Sequence, residues 1–290
     1  MTMTDGGLSP DSAARASAPA RARAKTSIVR QLTQTALRAA TLLIGLALGG
    51  PSGCNSHVHL GEIGDGSDSI LWRATFEPGD LSEWTGDGQG SMYLSNDTIP
   101  VTAAIDVAHG GSFAGKCSVT PSFGLTSVSY LNRRQPSPRE AYYSAWFYLS
   151  PSLTVGSWLS LVHFDGSHTG DGRNVFPFWD VNLYPQTPGT LVAHLYNYTT
   201  QINVESATPT PVATGRWVHL EVFVRKATDA TGRVAVWQDD ALILDADGVI
   251  TTENDWMEWD VGAASTDLTP SPGVVFVDDA AISLVRLGGT

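Results

Sequence analysis

The 290-residue chain carries 17 Lys and Arg against 29 Asp and Glu, a formal net charge of −12, with 42% hydrophobic and 16% charged residues. With 29 Gly, 16 Pro, 9 Trp, 8 Tyr and 9 Phe, this is the composition of a turn-rich globular β-protein, and it excludes a helical bundle or coiled coil. Few and scattered basic residues cannot form the cationic footprint that a phosphate backbone requires, so nucleic acid is excluded as a partner.

Charge divides the chain first. Residues 1–53 hold six basic residues (Arg15, Arg21, Arg23, Lys25, Arg30, Arg38) and two acidic ones (Asp5, Asp11), which leaves the remainder at −16. The basic segment leads into Ala39–Leu48, an apolar run too short to span a bilayer, and then into small residues. That is the order of a secretory signal. Pro51-Ser52-Gly53-Cys54 resembles a degenerate lipobox, in which Pro51 stands where Leu is usual. The resemblance implies acylation of Cys54 and an exported protein at the outer membrane or cell surface, attached to the membrane through this lipid alone; the alternative is ordinary signal cleavage after residues 47–49, giving a periplasmic or secreted protein. If Cys54 is acylated, Cys117 is expected to be a small buried hydrophobe; if not, a disulfide between the two is open. Residues 54–70 are polar and Gly-rich and are expected to form a flexible tether.

Residues 71–287 show no second change of composition and are expected to form one monomeric domain. Period-two alternation dominates. In Tyr142–Leu149, one face carries Tyr143, Ala145, Phe147 and Leu149, and the other Tyr142, Ser144, Trp146 and Tyr148. Trp179, Val181 and Leu183 alternate with Asp180, Asn182 and Tyr184, and Leu191, Ala193 and Leu195 with His194, Tyr196 and Tyr198. In Trp217–Val224 the apolar face is Val218, Leu220, Val222 and Val224, against Trp217, His219, Glu221 and Phe223. Further strands are expected over 158–164, 233–238, 241–244 and 274–285, with turns at 188–189, 230–232 and 272–273. No segment beyond the leader offers a helical period, so the expected fold is all-β, two antiparallel sheets stacked as a jelly-roll sandwich.

Five segments carry a resemblance. Phe76-Glu77-Pro78-Gly79…Trp84, Gly111–Val119 and Phe276–Ser283 resemble the opening, second and closing strands of secreted carbohydrate-binding jelly rolls. Gly215–Val222 and Gly232–Trp237 resemble the back half of concanavalin A-like lectin/glucanase domains, which include polysaccharide lyases. The resemblance implies a structural Ca²⁺ held by Glu77 with Asp278 or Asp279 and carbonyl oxygens near residues 112–116, clamping first strand to last. It also implies a polysaccharide or oligosaccharide site on the concave sheet. Stacking on sugar faces needs flat aromatics, and binding hydroxyl edges needs amides, carboxylates or imidazoles. The polar strand faces supply Tyr142, Trp146, Tyr148, Asp180, Asn182, His194, Tyr196, His219, Glu221 and Trp237.

An enzyme reading meets resistance. Lyases of the alginate-lyase type carry Arg-x-Glu-x-Arg, Gln-x-His and Tyr-x-Lys motifs; here Leu161-Val162-His163 lacks the Gln, and no Tyr-x-Lys precedes the closing strand. Arg133, Arg134 and Arg139 are the only nearby basic residues, and Glu258 and Asp260 read as exposed strand or loop acids. The residues thus favour a glycan-binding lipoprotein without catalysis. The alternatives are a lyase using His163 or His219 with a concave Tyr, and a structural surface protein.

Overall fold

The computed structural model describes residues 69–289 apart from 96–98, 123 and 188. The leader, Cys54 and nearly all of the tether lie outside the described residues.

Strands follow the chain as β1 (Ile70–Ala74), β2 (Gly90–Ser95), β3 (Ile99–Ala104), β4 (Ala114–Val119), β5 (Ser127–Arg133) and β6 (Glu140–Leu149). Next come β7 (Thr154–Val155), β8 (Leu159–Ser167), β9 (Val175–Thr187), β10 (Thr190–Asn197), β11 (Ile202–Val204) and β12 (Pro211–Val212). The last six are β13 (Trp217–Arg225), β14 (Gly232–Gln238), β15 (Ala241–Val249), β16 (Glu258–Ser265), β17 (Leu268–Thr269) and β18 (Gly273–Ser283). A single helical turn, α1 (Ser82–Thr85), interrupts them.

Two large antiparallel sheets result. The first runs β15-β14-β13-β6-β18-β4-β3, with β1 also on β18; the second runs β11-β10-β9-β8-β16-β5-β2, with β12 also on β10. Strands far apart in sequence are neighbours in both, as a jelly roll requires, and β1 beside β18 brings the two ends of the domain together.

The alternation read from the sequence defines the interior. Tyr143, Ala145, Phe147 and Leu149 of β6 and Val218, Leu220, Val222 and Val224 of β13 meet Trp179, Val181 and Leu183 of β9 and Leu191, Ala193 and Leu195 of β10 in one core. Apolar residues of two sheets thus remove each other from water, at roughly 25 cal/mol per Å² buried. Cys117 on β4 joins this core, and burial pushes its thiol up to about 12, as expected of a small inert hydrophobe. At one end Trp72, Trp84 and Trp259 pack edge-on or tilted at 4.7–6.2 Å, with the Arg133 guanidinium 4.6 Å over Trp72.

The other face of the first sheet is closed as well. Tyr142, Phe223, Ala235 and Trp237 form a second small core there. The segment after β18 covers it: Arg286 lies 4.8 Å over the Trp237 ring and bonds Glu221 at 2.9 Å, while the Leu287 N–H donates to Glu221 at 2.7 Å. Alternation ends where both faces of a sheet are covered.

Candidate active site

The outer face of the second sheet is built by register. Asn132 on β5, Asp260 on β16, His163 on β8, Asp180 on β9 and Tyr196 on β10 occupy successive cross-strand positions. Such partners stand about 5 Å apart with side chains on one face, so five strands deliver one polar row. A second row pairs Asp165 with Glu258, and a third runs Ser160, Asn182, His194. Two irregularities make this possible. The register slips between Ser160 and Val162, so both Leu161 and Val162 turn inward and Ser160 shares a face with His163. A second slip, opposite Phe164 and Asp165, turns Phe178 into the core. On β16, Gly262 holds φ +145°, and a Cβ there would lie 2.3 Å from the Ser129 carbonyl oxygen, so only glycine admits this close approach of β5.

A cleft of about 680 Å³ opens over these rows, lined among others by Tyr93, Asn132, Arg134, His163, Asp165, Tyr198 and Glu258. That volume suits a few sugar rings. Aromatic rings continue along the sheet: Tyr198 packs edge-on to Tyr196 at 4.9 Å, and Tyr184 stacks on His194 at 4.7 Å.

The electrostatics of this face are unusual. Asp165, Asp180, Glu258 and Asp260 are all at most 9% exposed, in one patch. His163 Nε2 lies 3.0 Å from Asp180 Oδ1. Burial is the largest single influence and would lower the imidazole pKa, but the charge and proximity of Asp180 together with the Asp165 charge outweigh it and raise it. Burial raises the pKa of Asp180, pushes Asp165 up to about 6, and drives Asp260 well above the usual carboxylate range, with Asp165 and Glu258 adding to the last. Tyr198 is raised by burial and then by the Asp180 charge, and the buried Tyr130, 5.0 Å from the His163 ring, is raised for the same reasons. Glu258 accepts from Arg134 Nε at 2.6 Å and from Asn132 Nδ2 at 3.2 Å.

Residues 76–279 match the polysaccharide lyase family. The chain belongs to this family. A search of curated protein sequences returned no match. Among solved structures, the endo-β-1,4-glucuronan lyase of the fungus Trichoderma reesei is similar, at 18% identity and a TM-score of 0.56, covering 74% of this chain and 95% of that one. The cellulose induced protein Cip1 is similar at 16% identity and a TM-score of 0.53, covering 75% of this chain and 99% of that one. These likenesses establish the jelly-roll sandwich. Family membership favours the lyase alternative over the expected non-catalytic binder.

Within this lyase-family fold, the ten residues expected on one concave face are divided between two. Asp180, Asn182, His194 and Tyr196 lie on the cleft face of the second sheet. Tyr142, Trp146, Tyr148, His219, Glu221 and Trp237 lie on the outer face of the first sheet, where Trp146 and Tyr148 are partly buried and the other four are buried. Trp146 is stacked 3.8 Å from His109, Tyr148 packs on Trp217, and Tyr142 and Trp237 belong to the small second core. His219 is buried beside Trp146, its pKa pulled down to about 4 by burial, and Glu221 is sealed under Arg286. These six are corrected to packing and clasp residues, because alternation tells which side chains leave the core but not which sheet a strand joins. Glu258 and Asp260, expected as exposed acids, are buried in the site. Asn132, Arg134, Asp165 and Tyr198 join them; His163 stands at the centre.

The expected metal residues do meet at one loop, though not as a ligand cage. Glu77 Oε1 accepts from the N–H groups of Ser112 and Phe113 at 2.8 and 3.0 Å, and Asp278 Oδ2 from those of His109 and Gly110 at 2.8 and 3.2 Å. Asp279 Oδ2 contacts His109 Nδ1 at 2.7 Å. N–H groups, not carbonyl oxygens, face these carboxylates, so this arrangement clamps first strand to last through hydrogen bonds.

Proposed function

We propose that the chain is a polysaccharide lyase that cleaves a uronate-containing polysaccharide, of the glucuronan class, by β-elimination in the cleft of the second sheet. The observation that carries this reading is Tyr198 beside His163 and the buried Asp180, facing a cleft in a chain of this family. Elimination removes the C5 proton of the uronate, forms the C4=C5 double bond and expels O4, which must be protonated. In a glucuronan the C5 proton and O4 lie on the same side of the ring, so one hydroxyl can take the first proton and deliver one to the leaving oxygen. Tyr198 is assigned that role. Asp180, whose charge bears on the phenol, is assigned to accept the phenol proton as Tyr198 takes the one from C5, and to return it as O4 leaves, so no proton is lost. Tyr196 and Tyr184 extend the floor on which neighbouring sugars stack.

The test is incubation of the chain with glucuronan, alginate and an uncharged glucan, following the ultraviolet absorbance of the unsaturated product. Absorbance is expected to rise with a uronan and not with the glucan. Glycan binding without any unsaturated product would return the chain to a binding role.

Two expectations outside the cleft belong to the same proposal. One is an exported, lipid-anchored location through Cys54, supported by the leader sequence alone. The other is Ca²⁺ at Glu77, Asp278 and Asp279, displacing some of the N–H contacts. It is supported by the resemblance of these segments to carbohydrate-binding jelly rolls and by Glu77 and Asp278 both reaching residues 109–113. Chelation is then expected to lower the melting temperature of the full chain by several degrees and added Ca²⁺ to restore it; an unchanged melting temperature removes the ion.

A further inference from the structure

A uronan lyase must neutralise the substrate carboxylate, yet the cleft floor is acidic. Its one arginine, Arg134, and its amide, Asn132, are both bonded to Glu258. Asp260 is 1% exposed, and neither of its oxygens has a hydrogen-bond partner; Asp165 is 9% exposed, and its Oδ1 has none. Two buried carboxylates side by side without donors cost several kcal/mol as bare charges, unless something positive stands between them. The side chains converge accordingly. One ligand atom from each of His163, Asp165 and Asp260 lies within 4.8 Å of the others, the only such trio among the described residues. Metal–ligand bonds of about 2 Å would close that span with small side-chain movements. The imidazole stands in the same sense, with Asp180 Oδ1 in ion-pair range of Nε2 at 3.0 Å and Asp165 Oδ1 3.9 Å from Nδ1. A histidine that shows one nitrogen to a carboxylate and the other to a cation is the usual arrangement behind a metal ligand.

We infer that His163, Asp165 and Asp260 bind a divalent transition-metal cation, Mn²⁺ or Zn²⁺, on the cleft floor. One nitrogen and two carboxylates suit these ions better than Ca²⁺ or Mg²⁺, which favour all-oxygen shells. Three protein ligands leave positions open toward the cleft. There the cation takes the uronate carboxylate and stabilises the charge that develops as the C5 proton leaves. This catalytic role rests on the lyase reading; the binding of the ion does not.

The full chain, stripped with chelator and dialysed, is titrated with MnCl₂ by electron paramagnetic resonance, with ZnCl₂ as competitor. One ion per chain is expected, raising the melting temperature by several degrees. The double variant Asp165→Asn with Asp260→Asn is expected to lose that ion, and its metal-free melting temperature to equal or exceed that of the stripped wild type, since like charges are removed. Glu77→Gln, in the chain-end clamp, is expected to keep it. No bound ion at millimolar concentration, or equal binding by the double variant, overturns the inference. Elimination at full rate by the stripped protein overturns the ion's catalytic role while keeping the lyase reading. One ion bound through Asp165 and Asp260 with no elimination on any uronan upholds the site and overturns the lyase reading instead.

Discussion

Tyr198→Phe is expected to lower the rate of unsaturated-product formation by roughly 10²–10⁴-fold, the range associated with one positioned proton-transfer group. The substitution removes a single hydroxyl and leaves the ring, which packs edge-on to Tyr196 at 4.9 Å and faces the His163 ring at 6.2 Å. Folding and sugar stacking should therefore survive, and KM should change little while kcat falls. Tyr196→Phe is the control. Its hydroxyl donates to Gln201 at 2.7 Å, away from Asp180, so its loss should cost less than about tenfold in kcat. Rates on glucuronan together with melting curves decide the matter. If Tyr198→Phe keeps its rate within about tenfold of wild type, the proton passes through another group, and His163 becomes the next to test.

That six of the ten residues expected in the site stand on the other sheet has a physical cause. The core faces of β6, β10, β13 and the 179–183 stretch of β9 are legible because each alternates there, and alternation is a local property. Sheet membership is not local. Tyr142–Tyr148 and Asp180–Tyr196 read alike, yet β6 lies in the first sheet and β9 and β10 in the second. Nor does a sequence announce a bulge. An unbroken β8 would place Ser160 and His163 on opposite faces, and only the slip at Leu161 unites them. In Glu258-Trp259-Asp260 the alternation is plain, but unpaired carboxylates seldom go inside, so the acids read as solvent-facing. A site that departs from that rule is invisible to it. Glu77 and Asp278, in the segments that resemble the opening and closing strands of carbohydrate-binding jelly rolls, both hold residues 109–113, but a motif carries no information on whether N–H or C=O groups will face them.

The covered face of the first sheet yields a second large effect. Arg286→Ala is expected to destabilise the domain by about 3–5 kcal/mol, because it strands a charge rather than merely removing a contact. Glu221 is fully buried; besides Arg286 it accepts from the Leu287 N–H at 2.7 Å, and burial raises its pKa even with the guanidinium in place. Without Arg286, the carboxylate must either stay charged and poorly solvated or bind a proton. For a domain of this size the loss corresponds to a fall in melting temperature on the order of 10 °C. The pH dependence has a definite sign. A carboxylate with a raised folded-state pKa binds more protons folded than unfolded, so its contribution makes stability fall as pH rises through that pKa. Removing Arg286 raises the Glu221 pKa further, so the deficit of Arg286→Ala should be smallest in mild acid and grow toward neutrality. Replacing both partners, Glu221→Leu with Arg286→Met, should recover most of the loss, since apolar groups of similar size under the Trp237 ring leave no buried charge. Chemical denaturation of Arg286→Ala, the double variant and wild type at two pH values tests this. An Arg286→Ala protein as stable as wild type at neutral pH would mean that the segment after β18 does not hold the sheet closed. Tyr142 and Trp237 would then regain the ligand-facing role from which the clasp excludes them.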